Sequence, residues 1–340
     1  MSDIARDETA PTETAPTETA PAGEQPAGGA KRERLPRGAW PGIVKNAIRQ
    51  FSADNLSDSA AALTYYAVLS IFPGLLVMLS ALRIFGADTS NAVVKNVVDL
   101  APGQMGITLN NAVKTLQQGS HGTATLLAIV SIVGSLWSAS GYVGAFMRAA
   151  NKVYAVPEGR PFWKLIPVRL ALTVFAGVIL TVAALSVLLT GRLAKAVGDA
   201  LNIGDTAVNV WNIAKWPVLV VIVSLLFAML YWASPNARVG RFRWFSAGSL
   251  CAVSIWLIAS GAFALYAAKF GSYNRVYGSL AAIIVFLVWL WISNIALLLG
   301  AELDSEIQRA RAISAGHPAD EEPFLGLRDT KKIKADYRTP

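Results

Sequence analysis

The sequence predicts an all-α, polytopic membrane protein with six transmembrane helices and amphipathic extracytoplasmic helices, on three observations. Hydrophobic residues make up 54% of the 340-residue chain and charged residues 15%, where a soluble domain carries about 25% charged residues. The apolar residues arrive in blocks, Ser59–Leu82, Gly122–Met147, Leu170–Gly191, Trp216–Ala237, Trp244–Ala268 and Val276–Ala301, none of which contains Asp, Glu, Lys or Arg. Each block exceeds the ~20 residues that a helix needs to cross the hydrocarbon core, and a buried helix of a soluble protein rarely runs so far without a charge.

Residues 1–38 precede this region. They repeat Thr-Glu-Thr-Ala-Pro and hold no apolar core. Such a segment cannot bury enough surface to offset its ordering entropy, so it reads as a disordered cytoplasmic tail. No signal peptide is read there, and the first span is expected to act as its own insertion signal. The membrane domain then covers residues 39–311. It opens with Ile43, Val44, Ala47, Ile48 and Phe51 at helical spacing, Lys45 and Arg49 between them and Trp40 ahead. That pattern predicts an amphipathic helix in the membrane interface with an aromatic anchor.

Asp54 and Asp58 lead into the first span, where Tyr65 and Tyr66 sit near one end and Pro73 in the middle. Proline removes a backbone hydrogen bond, so a kink is expected there, freeing carbonyls to face a cavity. Between the first two spans, Asn91–Leu100 and Met105–Leu116 show helical periodicity around Pro102-Gly103, which predicts two amphipathic helices capping the outer face. Arg192–Lys215 looks similar on a smaller scale. Small residues line one side of two spans: Ala60, Thr64, Ala67, Ser70 and Gly74 in the first, and Ser131, Gly134, Ser138, Gly141 and Ala145 in the second. Lipid supplies no hydrophobic drive between helices, so seams of this kind let backbones approach and pack. The sixth span carries Asn294 near its inner end and is followed by Glu302, Asp304 and Glu306. Acidic groups at a helix C-terminus oppose the helix dipole and call for basic partners; Arg148 is the expected partner of Glu302. Beyond Arg311, residues 312–340 read as a second cytoplasmic tail that frays.

The net charge of +8 is explained by orientation and not by nucleic acid. Arg148, Lys152, Arg160, Lys164 and Arg169 fill one short loop, and Arg238, Arg241 and Arg243 crowd another. Lys and Arg collect on cytoplasmic loops, where they also meet anionic lipid. Both termini are therefore expected on the cytoplasmic side of the membrane. The single Cys251 lies in the fifth span and the two histidines are His121 and His317. Intramolecular disulfides and His-based zinc or general-base clusters are thus excluded, and no metal, cofactor or catalytic set is read.

Several separated motifs resemble the YihY/BrkB family of bacterial inner-membrane proteins. They are Ala60-Ala61-Ala62-Leu63-Thr64-Tyr65-Tyr66 with Leu69-Ser70-Ile71-Phe72-Pro73, Leu136-Trp137-Ser138-Ala139-Ser140, Asn151-Lys152-Val153-Tyr154, Trp256 with Tyr266, Tyr277-Gly278-Ser279-Leu280-Ala281, Trp289, and Leu299-Gly300-Ala301-Glu302-Leu303. The resemblance covers residues 40–310. It implies a six-span fold that exports lipid or another envelope component, and it also carries an older ribonuclease label; no catalytic residues come with it.

The reading that follows is a transporter, exporter or flippase of an amphipathic, anionic lipid or envelope component, and not an enzyme. Its candidate cavity residues are Tyr65, Tyr66, Ser70, Pro73, Trp137, Ser138, Asn151, Tyr154, Tyr277 and Asn294. Its candidate inner-rim charges are Asp58, Arg148, Arg169, Arg238, Arg241, Arg243 and Glu302. Membrane lipid is the expected partner and nucleic acid is not; a homo-oligomer stays open. A non-transporting scaffold for envelope assembly is the alternative. A ribonuclease fits worst, because phosphodiester hydrolysis wants metal-binding carboxylates or a general base in a shaped pocket. The sequence has no P-loop and no acidic residue in mid-span, so the energy source stays open too.

Overall fold

The computed structural model describes residues 38–82, 123–188, 204–269 and 279–333. All seven elements named among them are helices: α1 Trp40–Ala53, α2 Leu56–Leu82, α3 Thr123–Val153, α4 Phe162–Leu188, α5 Asp205–Ala233, α6 Ala247–Lys269 and α7 Ser279–Ser314. The N-terminal repeat, both expected outer-loop helices of the first loop, residues 192–203 of the second loop, and Tyr277 lie outside the described residues.

The amphipathic pattern before the first span forms α1. Ile43 and Ala47 bury against Leu303 and Ile307 of α7, while Val44 and Ile48 face outward. Asn55 then takes a left-handed conformation, φ 47°, which asparagine tolerates better than most residues. The chain turns there into α2. Helices α2 to α7 pack in a ring in which each touches the next and α7 closes on α2; α7 also reaches α3 and α5. Four of them, α4 to α7, are long and apolar enough among the described residues to cross a membrane.

The buried core sits at one end of this ring, here called the base, where α1 and the short loops gather. Leu56, Leu63, Phe146, Ala149, Leu230, Tyr231, Leu297 and Ala301 form it. Away from the base, Val178, Leu180, Ile258 and Leu265 are exposed. A contiguous apolar surface of this kind needs an apolar environment. Close backbone approach makes the core possible. A Cβ on Gly248 of α6 would stand 2.1 Å from the carbonyl oxygen of Gly300 on α7, and one on Gly300 would stand 2.5 Å from Ala252 Cβ. Tyr231 then fills the space beside Gly300, donating its hydroxyl to Leu297 O at 2.6 Å. The small-residue seam between α2 and α3 is used only in part. Gly141 accepts the Tyr66 ring, 3.2 Å from where a Cβ would be, whereas Gly134 has open space.

The expected fraying beyond Arg311 is corrected by the structure as far as Ile333. Helix α7 runs 36 residues, or ~54 Å at 1.5 Å per residue, well past a ~30 Å hydrocarbon core. It ends in a glycine cap: Gly316 has φ 99°, its N–H reaches Ile313 O at 3.0 Å, and His317 N–H reaches Ala312 O at 3.0 Å, the pairing of a Schellman motif. The chain then turns back and binds the base loops. Arg238 N–H donates to Gly326 O and Arg328 N–H to Asn236 O, both at 2.8 Å. Arg328 donates through Nε to Ala237 O at 2.7 Å and through its terminal nitrogen to Trp232 O.

Asn236 is the centre of this clasp. Its Nδ2 donates to Pro157 O at 3.0 Å and Asp329 O at 2.9 Å, and its Oδ1 accepts the Asp329 N–H at 3.1 Å. Asn151 joins from α3, accepting the Asn236 N–H at 2.7 Å and donating to Glu158 Oε2 at 2.9 Å. Glu158 in turn holds Arg160, whose other bond goes to Ser234 O at 2.8 Å. Saturated backbone and side-chain partners replace water along the segment, and that is why it is ordered.

Asn236→Ala leaves these buried partners unsatisfied, each at a cost of about 1–3 kcal/mol. Limited proteolysis should then cut residues 315–333 faster than in the parent protein. Acid should act in the same direction. Burial pushes the Glu158 carboxyl up, but hydrogen bonds from Arg160 and Asn151 outweigh it and hold it below the usual carboxylate range. The hydrogen bond from Lys164 and the Lys331 N–H do the same for Asp329. Groups depressed in the folded state lend stability that is complete above their unfolded values and lost as pH falls through the depressed ones. Tail cleavage by an acid-tolerant protease should therefore accelerate as pH drops below the ordinary carboxylate range.

Candidate functional site

Three polar features meet at or near the base. The first lies within the spans. Asn294 of α7, 4% exposed, donates through Nδ2 to Thr64 Oγ1 at 3.0 Å and accepts the Tyr142 hydroxyl at 2.8 Å. Thr64 passes its own proton to Ala60 O at 2.8 Å. One side chain thus ties α7 to α2 and α3 and leaves none of these polar groups facing lipid. Ser70 donates to Tyr66 O at 2.7 Å and, at 3.4 Å, to Ala139 O across to α3.

The second feature is a pair of arginines on aromatic rings. Arg148 of α3 lies over Tyr66, 5.8 Å from the ring centroid. Arg169 of α4 lies over Trp137, 5.4 Å from its centroid, and donates through Nε to Ser140 O at 2.7 Å. Gly144 lets it approach, since a Cβ there would come within 3.1 Å of that nitrogen. Arg148, Trp137 and Tyr65 are exposed, and Arg169 and Tyr66 are half-buried. Neither guanidinium is in an ion pair among the described residues. Each retains N–H groups for an anion, in the planar geometry that suits phosphate or carboxylate.

The third feature is a small cavity of about 60 Å³ between α3, α7, the α1–α2 junction and the returning tail, lined among others by Asp54, Lys152, Tyr154, Glu302, Glu306 and Arg309. Glu302 is fully buried, and neither of its carboxyl oxygens has a hydrogen-bond partner. Arg148 is not its partner: its guanidinium lies over Tyr66, and it does not line this cavity. Arg309 pairs with Glu306 at 3.2 Å instead and covers Phe324, 4.7 Å from the ring centroid. Tyr154 reaches the same cavity with its hydroxyl buried and unpartnered.

The remaining predicted residues fall outside these clusters. Ser138 is exposed beside Trp137. Asn151 belongs to the clasp. Asp58 is exposed in the first turn of α2, where a negative charge suits the helix dipole. Arg238, Arg241 and Arg243 are exposed on the base loop. Helix α2 continues across position 73, but the Pro73 side chain lies outside the described residues. Asp304 turns away from the cavity and accepts the Gly248 N–H at 2.8 Å, an anion at the start of α6. Sequence reasoning missed Glu158, Arg160, Asn236, Arg328 and Asp329. Ser234-Pro235-Asn236 after an apolar run does signal a turn, but nothing local reveals what Asn236 binds across the fold. Among the described residues, no group of three or more His, Cys, Asp or Glu is placed to hold a metal ion.

The family model described as Virulence factor BrkB matches residues 47–323. A protein of Bacillus subtilis, strain 168, named as a putative ribonuclease-like protein YfkH, is 27% identical over 277 residues, covering 81% of this chain and 98% of that protein. The UPF0761 membrane protein RSc1559 of Ralstonia nicotianae is 29% identical over 276 residues, 77% of this chain but 57% of its own length. The UPF0761 membrane protein PBPRA3489 of Photobacterium profundum is 27% identical over 279 residues, 79% of this chain and 82% of that protein. No solved structure matches. Apolar helices, relatives named as membrane proteins and a family match over most of the chain agree, and the protein is a helical membrane protein that belongs to the bacterial BrkB family.

Proposed function

We propose that this protein spans the bacterial cytoplasmic membrane six times, with the base and both termini inside, and moves an anionic lipid or envelope amphiphile across it. Helices α2 and α3, of 27 and 31 residues, supply the two spans beyond the four already recognised by composition. The basic residues of the base loops, Arg148 to Arg169 and Arg238 to Arg243, support the orientation. Helix α1, with Trp40, Val44 and Ile48 exposed, lies in the inner interface in this reading.

The arginine pair carries the substrate assignment. Two cations without counter-ions among the described residues sit against aromatic rings, Tyr66 half-buried and Trp137 exposed, in the half of the ring nearer the base, where a lipid head group arrives sideways from the bilayer. Guanidinium forks grip the phosphate while Tyr66 and Trp137 cover the adjoining carbons. Each basic residue near the surface contributes about 1 kcal/mol of attraction to anionic lipid.

The double substitution Arg148→Ala, Arg169→Ala should weaken head-group binding by about 2 kcal/mol, roughly 30-fold, with lysine at both positions restoring part of it. In liposomes containing the full-length protein, translocation of labelled phosphatidylglycerol should fall accordingly, and that of phosphatidylcholine should change little. A protein that produces no translocation of any labelled lipid is a scaffold, and the transport reading then fails.

A further inference from the structure

Glu302 is the group that the packing leaves unexplained. It stands one residue past the uncharged stretch that ends at Ala301, fully buried, with neither carboxyl oxygen hydrogen-bonded. Buried polar groups are almost always satisfied, and an ionised carboxylate without a partner costs several kcal/mol. A glutamine or leucine would fill the same volume with less penalty, so packing does not account for an acid here.

Its surroundings do not neutralise it. On α7, Glu306 is buried beside it and binds Arg309, whose guanidinium is further held against Phe324. Asp54 faces the cavity from the α1–α2 junction, Glu322 from the returning tail and Lys152 from α3; Lys152 is exposed. Acidic groups outnumber basic ones, and like charges disfavour a further ionisation. The cavity is large enough for water, and the buried Tyr154 hydroxyl lines it without a partner. It therefore has a path for a proton and an acceptor for one.

We propose that Glu302 is a proton-binding site, exchanging with the aqueous phase at the base through this cavity. The step is a plain protonation: a carboxylate oxygen takes a proton that cavity water relays from the aqueous phase, leaving the water unchanged and giving the neutral acid, and returns it the same way. No other reactant enters. Charge changes by one at a buried position of α7, the helix that contacts α1, α2, α3, α5 and α6. The inference goes beyond the transport reading and does not depend on it, since a scaffold with this cavity would titrate identically.

The test is pH-difference infrared spectroscopy on the full-length protein in phosphatidylcholine nanodiscs. A protonated-carboxyl band should persist above the ordinary carboxylate range and titrate out at higher pH. It should vanish in Glu302→Gln and stay in Glu321→Gln, a change of an exposed residue. Asp54→Asn keeps Glu302 in place and removes a neighbouring like charge, so it should move the midpoint downward; this variant decides the matter if Glu302→Gln does not fold. A band unchanged by Glu302→Gln, or a midpoint in the ordinary range that Asp54→Asn leaves unmoved, overturns the proposal.

Discussion

In a bundle that faces lipid, every polar group must find its partner inside the protein, because the surroundings offer none. Most polar side chains described here obey that constraint through contacts between helices. Asn294 serves Thr64 and Tyr142. Trp256 donates to Ser293 and Trp289 to Ser260, each at 3.1 Å, which stitches α6 to α7 twice. These contacts specify which helices are neighbours, since apolar side chains alone would pack almost as well in other registers. Against that background the exceptions stand out. Glu302 lacks a hydrogen-bond partner where one is most needed, and Arg148 and Arg169 lie over aromatic rings without counter-ions among the described residues. Groups that break a rule the rest of the molecule keeps are where function is best sought.

Helix α7 bears most of this organisation. It touches every other named helix except α4 closely enough to define the ring, and it does so by two different means. Toward α6 it uses absence: Gly300 and Gly248 bring backbone against backbone. Toward α2 and α3 it uses polarity, through Asn294. Below Ala301 it continues as a charged rod whose faces go to separate uses. Leu303 and Ile307 receive α1, Asp304 meets the start of α6, Ser305 donates to Val153 O at 2.9 Å, and Glu302 and Glu306 turn to the cavity. The acidic residues that look anomalous at a helix end are thus not at its end, because α7 runs on to Ser314.

That point shows what the sequence reveals and what it withholds. Long uncharged blocks are legible because hydrocarbon thickness fixes their minimum length whatever the tertiary contacts. The apolar stripe of α1 is legible for a similar reason: the period of the helix places Ile43 and Ala47 together before any partner is known. Asn294 is recognisable as a polar residue inside a span and is expected to face a cavity, whereas it binds Thr64 and Tyr142 on two neighbouring helices. The clasp is another matter. Asn236 and Asp329 are 93 positions apart, and each alone reads as an ordinary loop residue, so the tail beyond Arg311 looks free. The expected Arg148–Glu302 pair fails for a related reason. Sequence places both at the base but not against which neighbours, and the fold sets Arg148 over Tyr66 and Glu302 in the cavity.

The last turns of α3 draw these features together. Gly144 admits Arg169, Arg148 covers Tyr66, Asn151 anchors the clasp, and Tyr154 enters the cavity. Successive positions are three or four residues apart, so Gly144, Arg148 and Asn151 share one side of the last turns of α3, and Tyr154 follows just past its end. The returning tail covers the cavity with Phe324 and Leu325 and binds the loops on either side of it. A proton arriving at Glu302 removes a charge from a space bounded by α3, α7 and that tail. Any adjustment must be taken up by one of the three. The helices are locked by backbone contact and buried hydrogen bonds and residues 326–333 by the clasp, whereas the stretch of tail over the cavity is held to α7 chiefly by Arg309, on Phe324 and on Ala319 O. Local opening draws on the least stable segments first. The tail is therefore the element whose position responds most readily to the charge on Glu302, while the helices that frame the arginine pair keep their places.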